Sequence, residues 1–103
     1  MRVIYKYPIA FHNGEPMPDF REVLPMNAEI IRVAEQNGRP QMWAIVPVIP
    51  INSGFAPSKD QLTMQMRNFF VIATGQGVDD RWTYIASWEQ KLGGFIWHLF
   101  EAK

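Results

Sequence analysis

His12 and His98 are the only imidazoles in a chain that has no cysteine. Acid–base or nucleophilic chemistry therefore has few places to start. His98 alternates with Trp97 and Leu99 and so projects from a defined sheet face, where it can act as a general base or as a proton-responsive contact. A catalytic pairing with Ser87 requires two polar cross-strand neighbours that converge, and no serine stands in a nucleophile-elbow context. We read His98 as a hydrogen-bonded structural residue and expect no enzyme activity. Asp79 and Asp80, with Glu89 or Glu101, offer oxygen ligands to a divalent ion. Adjacent carboxylates on a turn point apart, however, so the expectation is a solvated turn, with no metal and no cofactor. Gly75-Gln76-Gly77 is a Gly-x-Gly whose third pattern position is Asp80 and which precedes a strand. A dinucleotide site needs a helix there, so a plain turn is expected.

The remaining candidates are rings and cations. The chain carries four Trp, three Tyr and seven Phe. Large rings fill pleated cores and also anchor interfaces. Tyr5 and Tyr7 flank Lys6, and Arg32 is expected beside Trp43, as a cation–π contact or in a second buried layer. With Trp97 near the C-terminus and Phe55 in a Pro-rich stretch, these are the candidate binding residues: Tyr5, Tyr7, Arg32, Trp43, Phe55 and Trp97. Rings interleaved with basic residues can stack bases. Here the 10 basic residues are matched by 10 acidic ones, which argues against a nucleic-acid surface.

The elements that must position these residues are strands. Asn37-Gly38, flanked by two apolar-rich runs over 29–47, is the strongest hairpin signal in the chain, because a type I′ turn needs positive φ at both central residues. This turn pairs Gln36 with Arg39, Ala34 with Gln41 and Arg32 with Trp43. It pairs Val33 with Met42 and Ile31 with Ala44 on the opposite, core-facing side. Residues 2–9 form a first strand stopped at Pro8, with Val3, Tyr5 and Tyr7 on one face. Residues 12–19 read as a loop and 21–24 as a short edge strand ended by Pro25. Residues 47–63 read as a long loop, with one helical turn at 58–63 capped by Ser58 or Asp60. Residues 64–74 end in the dense apolar run FFVIAT, expected to be a central strand buried on both faces. Residues 82–88 alternate, placing Trp82, Tyr84, Ala86 and Trp88 together against Thr83, Ile85 and Ser87. After Gly93-Gly94, residues 95–100 complete a second hairpin.

The whole predicts one all-β domain over 1–103: an antiparallel sandwich or partly open barrel of six to seven strands with at most one short helix. Apolar residues make up 48% of the chain, enough for a core without staples. The polar N-terminus lacks a signal-peptide pattern, and no apolar run approaches the ~20 residues of a membrane span. A cytoplasmic protein with no membrane association is the expectation.

Several short words then align with a known group. Ile4-Tyr5-Lys6-Tyr7-Pro8, Asn37-Gly38-Arg39-Pro40 with Trp43-Ala44, Thr74-Gly75, Gly93-Gly94 and Trp97-His98-Leu99-Phe100-Glu101 resemble a family of short uncharacterised phage and prophage proteins. The chain differs from that pattern in its longer loops at 12–19 and 47–63. The resemblance implies a phage origin and defines no catalytic residues. The expected function is that of a small accessory protein that binds a host or phage protein, for example to inhibit a host defence system, with homo-oligomerisation a further expectation. The rival readings are an oligomer that sequesters a nucleotide signal and a component of the virion or its assembly.

Overall fold

The computed structural model describes residues 1–47 and 63–102. It is all-β: β1 (Arg2–Pro8), β2 (Phe11–His12), β3 (Glu15–Pro16), β4 (Asp19–Pro25), β5 (Glu29–Gln36), β6 (Arg39–Pro47), β7 (Met64–Ala73), β8 (Trp82–Glu89) and β9 (Ile96–Ala102). A three-stranded sheet runs β1-β6-β5, a four-stranded sheet runs β4-β7-β9-β8, and β2-β3 forms a minute ribbon. Every pairing is antiparallel. Seven strands have seven residues or more. The stretch expected to be a loop at 12–19 contains the ribbon and the start of β4, which is longer than expected but lies at a sheet edge. The expected helical turn and Phe55 fall outside the described residues. No described helix is long and apolar enough to cross a membrane.

The two larger sheets share one core. The inner face of the three-stranded sheet supplies Tyr7, Val33, Met42, Ala44 and Val46, and that of the four-stranded sheet supplies Leu24, Phe69, Val71, Trp88 and Leu99. Each Val, Leu, Met or Phe among them contributes roughly 1.5–3 kcal/mol on full burial, so this cluster, with Ile9 and Ala28, is the main stabilising unit. The hairpin turn is formed as its chemistry demands, with φ of 54° at Asn37 and 79° at Gly38. Register follows from it: Gln36 faces Arg39, Arg32 faces Trp43 and Val33 faces Met42.

Two bulges alter the expected faces. The ladder shifts between Ile30 and Arg32, so that Ile30, not Ile31, pairs with Ala44. The extra residue of a bulge is left out of the ladder, and Ile31 is 47% exposed while Ile30 packs against the core. The second shift lies between Tyr84 and Ala86. It splits the expected Trp82, Tyr84, Ala86, Trp88 face in two. Trp82 and Tyr84 pair with Ala102 and Phe100 on the outer side, whereas Ala86 and Trp88 pair with Leu99 and Trp97 and join the core. Strand β7 is interior to its sheet, as expected, but only one of its faces is sealed. Phe69 and Val71 are buried, and Phe70 and Ile72 on the other face are half-buried.

Candidate functional site

The outer face of the four-stranded sheet carries three cross-strand rows. Asn68, Ala102 and Trp82 form the first, Phe70, Phe100 and Tyr84 the second, and Ile72, His98 and Ser87 the third. The rings of the first two rows lie against one another. Phe70 and Trp82 stack with centroids 4.1 Å apart and planes at 10°. Phe100 meets Trp82 at 6.3 Å and the edge of Tyr84 at 5.5 Å. Such contacts add about 0.5–1.5 kcal/mol each beyond area burial. Tyr84 nevertheless remains 56% exposed.

The third row is polar. Tyr84 Oη and Ser87 Oγ share a hydrogen bond of 2.7 Å. Ser87 Oγ and His98 Nδ1 share another of 2.7 Å. His98 Nε2 lies 2.9 Å from the Oγ1 of Thr74, one residue past β7. The bulge makes this chain possible: three residues apart in a regular strand, Tyr84 and Ser87 would point to opposite faces. A neutral imidazole donates through one nitrogen and accepts at the other. One of the two flanking hydroxyls therefore donates to His98 while the other accepts from it, giving the chain a direction. Protonation of His98 would make both hydroxyls acceptors. His98 is hydrogen-bonded, as its reading as a structural residue requires, and Ser87 is one of its partners; among the described residues no carboxylate bonds the imidazole.

The candidate residues scatter over both sheets. Tyr7 is 5% exposed, within the core; burial pushes its phenol pKa up, and the charges of Tyr5 and Glu22 add to that. Tyr5 and Trp97 pack against the same core, and Trp97 Nε1 donates to Gln90 Oε1 at 2.9 Å. These three rings present little surface to a partner. Arg32 and Trp43 do meet, on the outer face of the three-stranded sheet, with the guanidinium 5.5 Å from the ring centroid. Phe70, Trp82, Tyr84 and Phe100 were not singled out by sequence reasoning. Their signal was the matching of aromatic positions across β7, β9 and β8, hidden by the bulge in β8.

The Gly-x-Gly and the acidic pair form a turn. Gln76 N donates to Ala73 O at 3.1 Å, and Trp82 N donates to Asp79 O at 3.0 Å. Arg81 closes on Asp79 through its backbone N–H and its guanidinium. These hydrogen bonds hold the Asp79 carboxyl down at about 2. Among the described residues no three His, Asp or Glu side chains gather as a metal-holding group.

No curated protein and no solved structure matches this chain. A family model described as a domain of unknown function (DUF7352) matches residues 1–103, and the chain belongs to that family.

Proposed function

We propose that this chain is a small phage-type accessory domain that acts by binding a host or phage protein, and that the outer face of the four-stranded sheet is its working surface. The single observation carrying this reading is the ring cluster Phe70, Trp82, Phe100 and Tyr84, laid across three strands on the side away from the core. A flat aromatic face with polar groups at its margin matches the anchors that dominate protein interfaces. Zero formal charge supports a protein partner over a phosphate backbone. We read the Thr74–His98–Ser87–Tyr84 chain as shaping this surface and holding Tyr84 in place. Ser87 lies on the edge strand β8 beside His98 on β9, and both imidazole nitrogens are taken up by hydroxyls, Ser87 Oγ and Thr74 Oγ1. Inhibition of a host defence system is the cellular role that small size and the family resemblance favour.

The test is affinity capture from a lysate of the bacterial host, with wild type and Tyr84→Ala run in parallel. A hot-spot ring accounts for about 2 kcal/mol or more of binding, roughly thirtyfold in affinity. A specific protein retained by wild type and lost by a variant that melts normally is the expected result. Equal recovery by both removes this face from the binding surface.

A further inference from the structure

The opposite side of the molecule carries a second and independent feature. On the outer face of the three-stranded sheet, Lys6, Trp43 and Arg32 form one cross-strand row, with the indole between two cations. Arg32 lies over the Trp43 ring, and Lys6 Nζ donates to Gln36 Oε1 at 2.8 Å. A groove of about 380 Å³ opens there, walled by Ile4, Ile31, Arg32, Glu35, Gln36 and Trp43. Among the described residues neither cation has an ion-pair partner. Glu35, the carboxylate at the groove, accepts the backbone N–H of Lys91 at 3.1 Å. Glu29 shares the face but sits at the next outward row, opposite Ile45.

The bulge in β5 bears directly on this groove. Without it, Ile31 would pair with Ala44 and enter the core; with it, Ile31 turns outward and becomes an apolar wall. Bulges are common where a strand must re-aim a side chain beside a site. The groove thus combines an indole face, two exposed isoleucines and the Arg32 guanidinium, with Lys6 at its margin, bonded to the lining residue Gln36, and the Glu35 carboxylate engaged by the Lys91 N–H. Its volume falls at the small end of the range for ligand sites.

We propose that this groove binds a planar heteroaromatic ring bearing a phosphate, of which a nucleoside monophosphate is the simplest form. The ring lies along Trp43 between Ile4 and Ile31, where stacking is tolerant of base identity. The phosphate meets the Arg32 fork in the groove, and the Lys6 ammonium reaches it from the margin by way of Gln36, a bidentate donor and a point charge that together suit three oxygens.

Isothermal titration of the full chain with each of the four ribonucleoside 5′-monophosphates tests this, with adenosine and inorganic phosphate as half-ligands. At least one monophosphate binds, and Arg32→Gln and Lys6→Gln each weaken it by about tenfold, the weight of one charge-assisted contact. Both positions are exposed, so the variants keep the wild-type melting curve. Adenosine and inorganic phosphate each bind about tenfold or more weakly than adenosine monophosphate. The proposal is overturned if no monophosphate binds at about 1 mM, or if binding is indifferent to both substitutions. It is equally overturned if either half-ligand binds as well as the whole. Tyr84→Ala leaves this binding unchanged, which separates it from the protein-binding face.

Discussion

The ion pair between Arg67 and Glu101 is where the structure makes its sharpest energetic claim. Arg67 Nε and Nη2 donate to the two carboxylate oxygens of Glu101 at 2.5 and 2.6 Å, and Nη1 donates to the carbonyl of Ala28 at 2.6 Å. One guanidinium thus ties β7 to β9 and to the β4–β5 connection. The two side chains are only 14% and 18% exposed. Breaking a fully buried pair by neutralising one member costs about 3–5 kcal/mol, because the other charge stays behind. Three features lower that figure for Glu101→Gln: the residual exposure, the amide oxygen that still accepts one hydrogen bond, and Glu22, the ladder partner of Arg67. The expected loss is about 2 kcal/mol, a fall in melting temperature of roughly 8–16 °C for a domain of this size. Replacing both charges with Arg67→Met and Glu101→Leu leaves no stranded ion and should cost less than the sum of the two single changes, with about 1 kcal/mol lost at the Ala28 carbonyl. Urea unfolding of wild type, Arg67→Met, Glu101→Leu and the double variant closes the cycle, with Glu101→Gln measured beside them. If Glu101→Gln stays within about 0.5 kcal/mol of wild type, or the two single effects simply add, the pair is a solvated contact and the reasoning fails.

The remaining predictions concern the second turn and the first bulge. Asp79 titrates at about 2 instead of 3.8 because Arg81 hydrogen-bonds its carboxylate. Its folded pKa is depressed, so its stabilising contribution is present above 3.8 and is lost as pH falls toward 2; carboxyl NMR should find that midpoint, and Arg81→Gln should raise it part of the way, the backbone N–H of residue 81 still holding it down. Ile31→Ala should change stability by less than about 0.5 kcal/mol, whereas Val33→Ala, two residues on, should cost about 2 kcal/mol in the same urea assay; equal costs would place Ile31 back in the core.

Much of this fold is written locally. Asn37 and Gly38 accept the left-handed backbone that a tight hairpin needs, and that turn alone sets the pairing of Gln36 with Arg39, Arg32 with Trp43 and Val33 with Met42. Period-two patterning likewise assigned Tyr7 and Val3 to one face and Lys6 to the other, which is how Lys6 and Arg32 come to flank Trp43. Ile31 and Tyr84 mark where local reading stops. Their sequences alternate as if the strands were regular, yet each strand carries an inserted residue, and whether a ladder absorbs one depends on what its neighbours and the opposing sheet can pack. Once β5 slips, Ile30 faces Ala44 and Ile31 turns outward; once β8 slips, Trp88 enters the core and Tyr84 joins Ser87. β8 and β9 form a local hairpin, but the pairings β4-β7 and β7-β9 join segments far apart in the chain, where no turn dictates a partner. That tertiary choice brings Thr74, His98, Ser87 and Tyr84 within hydrogen-bond reach, and it lays four rings from three strands side by side.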